Sequence, residues 1–309
     1  MSKITILYSR AENTPYKEYV DDRLLSLISG ILKENGFIVN LLAYSSFDAL
    51  KHIARFKPSV IFNLAYGFTD HKKVMLSQAD ITAQIETLKI PIIGSSSATQ
   101  SVLQDKLKTQ IILEKNSILC PRIIRNLELG KIYISKPRFG AAHRGIKIIE
   151  VSDISEKYSI LSSNESNIVQ EFIDGKEYTV GIIGNDENIT VLPPLAISFN
   201  EDLVTNKALG LNKSRISYSL DNDDEYGLRE ISRKVYEIFG MKNYARIDYR
   251  VKEGNRFCLD VNALPNLCPI RSFLPNICSL AKISYEEMIL RVINSAMMKN
   301  NLHSVNEIH

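Results

Sequence analysis

Two β-rich runs, 244–251 and 257–262, flank a turn at Gly254 and carry the polar residues whose spacing is most suggestive of chemistry. Strand alternation puts Arg246, Asp248 and Arg250 on one face of the first run, and Cys258, Asp260 and Asn262 on one face of the second. A hairpin symmetric about Gly254 sets Asp248 opposite Asp260 and Arg246 opposite Asn262. Directly opposed carboxylates repel, at a cost of up to ~1 kcal/mol for a cross-strand pair. A divalent cation removes that cost. Two carboxylates and an amide oxygen suit magnesium, with manganese as a second choice, because such a site keeps positions open for phosphate oxygens. The same spacing also fits a solvated polar face held by Arg–Asp ion pairs.

The elements that must position this hairpin follow from hydrophobic period. Short apolar runs at 4–9, 37–44 and 60–65 alternate with helical patterns at 16–35 and 47–56, which is the β-α-β-α-β order of a parallel sheet. Gly36 stands where a helix C-cap belongs, and Pro58 separates the second helix from the third strand. A helix over 77–88 and a strand over 90–94 complete this first lobe. One further helix, carrying Val102, Leu103, Lys106, Leu107 and Ile111, precedes short strands at 131–136, 146–151, 168–172 and 177–183, which read as a small α+β lobe. The stretch 198–224 reads as irregular. A helix over 228–239, the hairpin and a C-terminal helix follow.

Composition sets bounds on function. A chain of 309 residues, 45% hydrophobic, can bury the core of two or three lobes. Its 38 Lys and Arg against 35 Asp and Glu are interspersed, which gives no electrostatic reason for a nucleic-acid or membrane partner. The apolar stretch after Lys3 is too short for a signal or a membrane span, so a cytoplasmic protein is expected. Cys120, Cys258, Cys268 and Cys278 form no Cys-x-x-Cys pair and read as buried, reduced thiols.

The segments 246–250 and 259–265 resemble the metal-binding end of ATP-grasp enzymes, particularly the D-alanine–D-alanine ligase family. Segments 61–67, 90–95, 104–109, 134–137 and 169–181 occur in that family's order and approximate spacing. The resemblance implies the ATP-grasp fold, with an N-terminal parallel α/β substrate lobe (1–98), a central lobe (99–185) and a C-terminal lobe with the metal site (186–309). The last two would sandwich ATP. It further implies a carboxylate–amine ligase that passes through an acyl phosphate, acting on small molecules, and a homodimer.

Carried over residue by residue, the resemblance implies ATP phosphate contacts at Lys106 and Lys136, an adenine hinge at Gln170, Glu171, Phe172 and Ile173, and a ribose contact at Glu177. Asp248, Asp260 and Asn262 match the metal ligands, and Arg246 matches the arginine that stabilises charge on the reacting carbonyl. Residues 138–145 resemble a phosphate flap. Where the family usually has a serine pair this chain has Ala141, Ala142, His143 and Arg144, and Arg144 is a candidate bidentate phosphate donor. Lys207 and Lys213 lie where the family has a mobile loop with a catalytic lysine, and Lys207 is the preferred candidate.

The substrate side departs most. Glu12 is the candidate replacement for the family's ammonium-binding glutamate, Tyr66 stands where a histidine is common, and Arg271 and Ser272 lie near the acceptor-carboxylate serine. The expectation is therefore intact ATP chemistry with an altered choice of amino acid or amine. Two other readings are a kinase that stops at phosphoryl transfer and a non-catalytic nucleotide-binding module.

Overall fold

The computed structural model describes residues 1–14, 21–46, 48–69, 75–140, 145–152, 167–199 and 216–299. Strands β1 (Lys3–Tyr8), β2 (Ile38–Ala43) and β3 (Val60–Leu64) alternate with helices α1 (Asp22–Glu34) and α2 (Asp48–Phe56). After the short strands β4 (Phe68–Thr69) and β5 (Met75–Leu76) come α3 (Gln78–Glu86) and β6 (Ile92–Ile93). All contacts in the four-stranded sheet, order β2-β1-β3-β6, are parallel. Its strand β3 is buried throughout, as a strand covered on both faces must be. The Asp21 carboxylate caps α1 by accepting from Arg23 N at 2.9 Å, and Leu24, Leu25, Ile28, Ile31 and Leu32 turn that helix's apolar stripe inward.

The single helix expected near Lys106 is two, α4 (Ser97–Gln104) and α5 (Lys106–Lys115), broken at Asp105. Asp105 leaves the helical region at φ −92°, ψ 96°, and its carboxylate accepts from Leu107 N and Lys108 N. A buried cap thus restarts the helix with Lys106 at its first position. Three antiparallel strands follow, β7 (Ile132–Pro137), β8 (Lys147–Glu150) and β9 (Asn167–Glu171), ordered β8-β7-β9.

The third sheet has six strands. Strands β10 (Lys176–Ile183), β11 (Thr190–Val191), β12 (Leu195–Phe199), β13 (Ile216–Leu220), β14 (Tyr244–Lys252) and β15 (Asn255–Asn262) run in the order β13-β12-β10-β14-β15, with β11 also on β10. The 198–224 stretch expected to be irregular therefore carries strand at both ends, held because β12 and β13 pair antiparallel over five residue pairs. Lys176–Ile183, grouped by sequence with the small central lobe, pairs with β14 over eight positions inside this larger sheet.

Helix α6 (Leu228–Ile238) covers one face of that sheet, where Tyr178, Val180, Ile182, Ala245, Ile247 and Tyr249 are buried against Val235 and Tyr236. Helices α7 (Phe273–Leu280) and α8 (Tyr285–Lys299) stand where one C-terminal helix was expected. Their residues Leu274, Ile277, Ile289 and Ile293 join a core that runs from Ile4 and Phe62 of the first sheet to Ile183 and Leu195 of the third. The C-terminus thereby fastens the first sheet to the third. No helix among the described residues is long and apolar enough to cross a membrane.

Candidate active site

The hairpin turns at Glu253 and Gly254, both with positive φ (51° and 76°), which is the two-residue turn that matches strand twist. Its centre falls between these residues, since Lys252 faces Asn255, Arg250 faces Phe257 and Tyr249 faces Cys258. A β-bulge then leaves Leu259 without a partner, and beyond it Asp248 faces Asp260 and Arg246 faces Asn262. The expected pairs are present, though the symmetry that suggested them holds only past the bulge. Cys258 is the correction that follows. It pairs with Tyr249 and packs in the hydrophobic core with Val261, on the face opposite Asp260 and Asn262.

Asp248 is heavily solvated by protein donors. Arg246 grips it with Nε at 2.9 Å and Nη2 at 2.8 Å, Thr179 Oγ1 donates at 2.7 Å from β10, and Asn262 Nδ2 lies at 3.3 Å. Arg246 also stacks over the Phe273 ring, 5.3 Å from its centroid. The ion pair contemplated for a plain polar face is therefore present together with the opposed carboxylates. Among the described residues no group of three His, Cys, Asp or Glu could hold a metal. The oxygen donors here are instead the two carboxylates Asp248 and Asp260, which suit a hard divalent cation, while Asn262 turns its Nδ2 rather than its oxygen to Asp248.

Two lysines face the same place. Lys136, on β7, is buried and donates to Leu259 O at 3.2 Å, so the bulged carbonyl that re-registers the hairpin also seats this ammonium. Lys106 donates to Gly140 O at 2.7 Å, and its own N–H bonds Arg138 O. Lys106, Lys136, Gln170, Leu259 and Asp260 line one cavity. Burial lowers the Lys136 pKa from the usual lysine value; Asp260 opposes that shift and the Lys106 charge adds to it. A nucleotide's phosphates are anions that would relieve both lysines.

The remaining expected nucleotide residues lie along β9 and β10. Gln170 is buried, whereas the Glu171 carboxylate turns outward to Arg122, accepting Nε and Nη2 at 2.9 Å each. Phe172 is half-buried beneath the Arg250 guanidinium, 5.2 Å from its ring centroid, and belongs to no core cluster. Arg250 also donates to Ile173 O at 2.8 Å and to Glu177 Oε2 at 3.0 Å, while its buried Nε has no partner. One arginine thus braces the ring, the turn and the carboxylate.

The substrate candidates are less concentrated. Glu12 is exposed and its ion pair, at 3.9 Å, is with Arg10, not with a residue of the hairpin. Tyr66 is buried and donates to Pro265 O at 3.4 Å, which ties the first lobe to the loop after β15. Ser272 is buried and donates inward to Asn266 Oδ1 at 3.0 Å, while Arg271 is exposed. Arg144, Lys207, His143 and Lys213 lie outside the described residues.

The profile of the D-ala D-ala ligase C-terminus matches residues 144–294. A D-alanine–D-alanine ligase of Pelagibacter ubique is 27% identical over 295 residues, covering 89% of this chain and 94% of the relative. That of Aquifex aeolicus is 28% identical over 225 residues, covering 68% of this chain and 75% of the relative. Over most of its length the chain is thus similar to D-alanine–D-alanine ligases, and over 144–294 to their C-terminal part. In fold this ligase-like chain is similar to the Bacillus anthracis D-alanine–D-alanine ligase solved with ATP, with a TM-score of 0.75 at 20% identity over 97% of this chain and 99% of that one. It is also similar to the VanG D-Ala:D-Ser ligase of Enterococcus faecalis, with a TM-score of 0.68 at 16% identity over 96% and 99%.

The sequence reading missed Thr179, Asp105 with Arg138, and Gln110. Thr179 contacts Asp248 because β10 and β14 pair in a register that no local pattern specifies. A signal did exist for Asp105, since an Asp two residues before Leu107 and three before Lys108 is an N-cap pattern.

Proposed function

We propose that the chain is an ATP-dependent ligase that joins a small amino-acid carboxylate to an amine, releasing ADP and phosphate. The observation that carries this reading is the convergence of Asp260, paired with Asp248 across the hairpin, with Lys106 and Lys136 at one cavity. Arg246 is assigned to the developing negative charge on the substrate carbonyl, with its guanidinium held by Asp248 and Phe273. Lys106 and Lys136 are assigned to hold the phosphate chain in line with the attacking carboxylate. A divalent cation, magnesium on Asp248, Asp260 and Asn262 in this proposal, would neutralise phosphate charge when bound. The carboxylate attacks the γ-phosphorus, ADP leaves, and the amine then displaces phosphate from the acyl phosphate.

The substrates proposed are amino acids. The relatives are named for D-alanine, and one structural neighbour for D-alanine with D-serine. Glu12 facing outward, Tyr66 spent on Pro265 and Ser272 spent on Asn266 all favour an amino acid or amine other than a D-alanine pair. A cytoplasmic homodimer, organised in the three lobes given above, completes the proposal. Phosphate release over paired D- and L-amino acids and small amines, with mass spectrometry of the products, tests it. A new amide with stoichiometric ADP is expected; a stable phosphorylated acid without amide would replace the ligase with a kinase.

A further inference from the structure

The first sheet ends at β6, and among the described residues no strand covers its outer edge. Ile61 N donates to Pro91 O at 2.8 Å, and Ile61 pairs with Ile92. Residues of a parallel strand turn their N–H and C=O alternately toward and away from a neighbour, so Pro91 and Ile93 face β3 while Ile92 and Gly94 face outward. Gly94 bears this out, because its N–H donates outward to Asn243 Oδ1 at 2.8 Å. Asn243 is buried at φ 65°, a conformation that asparagine tolerates, and its side chain stands in for one residue of a further strand. Beside it Ile92 lines a cavity of about 280 Å³ between β6, the turn before β14 and the end of α8. The outward N–H and C=O of Ile92 have no partner among the described residues.

The rest of the wall selects the chemistry that fits. Lys242 lines the cavity with its side chain 34% exposed, and its Nζ lies 3.1 Å from the exposed Asp186, so the ammonium stands at the mouth. Asn185 and Asn243 each engage one Nδ2 hydrogen, on Ser295 O at 2.8 Å and Ser295 Oγ at 2.9 Å, and keep a second. The Glu86 carboxylate is already engaged by α4, accepting from Ser97 N at 2.9 Å and from Ser97 Oγ, and offers little to a ligand ammonium. We propose that this cavity binds an N-acyl amino acid, such as the last residue of a short peptide, docked antiparallel on the edge of β6. An extended residue carries its N–H and C=O on one side, so its amide N–H donates to Ile92 C=O and one carboxylate oxygen accepts from Ile92 N–H. The other carboxylate oxygen meets Lys242, and the side chain lies against Ile90, Pro91 and Ala296. A free amino acid fits less well, because its ammonium would be desolvated without a counter-charge. No nucleotide enters this binding, so it stands or falls apart from the ligase reading.

Calorimetric titration of the full chain, without nucleotide, with N-acetyl-L-alanine, O-acetyl-L-lactate and N-acetyl-L-alaninamide tests this. The second probe has an ester oxygen in place of the N–H, and the third has no charge. N-acetyl-L-alanine should bind at millimolar concentration, about tenfold tighter than the ester and about fivefold tighter than the carboxamide. Lys242→Met should abolish the preference for the acid over the carboxamide and keep the preference for amide over ester. Ile92→Pro deletes the outward N–H and neither bond to β3, and should weaken N-acetyl-L-alanine about fivefold. Asp260→Ala, at the hairpin, should leave that affinity within about twofold. Where either edge variant fails to fold, the wild-type ratios and Asp260→Ala still decide. Equal affinity for the three probes, no binding of N-acetyl-L-alanine, an acid preference kept in folded Lys242→Met, unchanged affinity in folded Ile92→Pro, or affinity lost in Asp260→Ala each overturns the proposal.

Discussion

Two aspartates in this chain are held by arginine in the same forked geometry, and they are put to different uses. Asp105 takes Arg138 Nε at 2.8 Å and Nη2 at 2.7 Å, and Asp248 takes Arg246 Nε at 2.9 Å and Nη2 at 2.8 Å. The Asp105 side chain is 1% exposed and spends its remaining capacity capping α5. The Asp248 side chain is 16% exposed, on a face shared with Asp260 and Asn262. A bidentate pair alone therefore does not mark a catalytic site. What separates the two is whether the carboxylate is consumed by backbone donors or left beside another carboxylate. The first pair is a clasp that fixes Lys106 against the end of β7, since Lys106 N also bonds Arg138 O.

The largest difference should appear when each side is broken in turn. Asp260→Ala removes one of the opposed carboxylates from a partly exposed position, so ADP release should fall at least about 10³-fold with little change in Tm. Full turnover in that variant would remove the metal assignment. Asp105→Asn should do the reverse, lowering stability at neutral pH by about 2 kcal/mol through a weakened cap and a lost charge-assisted bond, with activity reduced less than by Asp260→Ala. Arg138 is the main cause that holds the Asp105 pKa below the ordinary carboxylate value, against the opposing effect of burial. Its contribution is thus complete above the unfolded pKa near ~3.9 and disappears as pH falls through the lower folded value. Urea melts at several pH values should show the wild-type advantage over Asp105→Asn closing only under strongly acid conditions.

This contrast explains which parts were legible in the sequence. The parallel sheet was readable because alternation of strand and helix is local, and β3 is apolar at nearly every position. The pairing of Asp248 with Asp260 and of Arg246 with Asn262 was readable because a hairpin keeps its partners close in sequence. The Leu259 bulge was not, since nothing in an apolar Leu between Cys258 and Asp260 announces an unpaired residue. It reversed the placement of Cys258 while preserving that of Asp260. Contacts made across lobes were silent for a different reason. The break at Asp105 depends on Arg138, 33 residues away, and the Gln110 amide on Gln170, 60 residues away. Glu12 and Tyr66 were assigned by position, and position carries no information about whether a hydroxyl is already spent on Pro265.

The smallest expected effect also has the least intuitive sign. Lys136 is a cation in a buried seat, and one carbonyl at 3.2 Å with Asp260 nearby does not replace its water. Because burial lowers its folded pKa, the charged form costs the fold stability at neutral pH, and the cost is relieved as pH rises through the folded value toward the unfolded one near ~10.4. Lys136→Met keeps the length and removes the charge. The ligand-free variant should therefore be more stable than wild type by about 1 kcal/mol at pH 7, with the gap closing toward pH 10. It should also lose nucleotide binding, so ATP with magnesium would raise the Tm of the wild type and leave that of Lys136→Met unmoved. A variant less stable than wild type at pH 7 would show that Lys136 serves as a structural bridge to the Leu259 carbonyl, in the manner of the Asp105 clasp. A more stable variant that no longer answers to ATP would place it with Asp248, on the side of the molecule where stability is given up for binding.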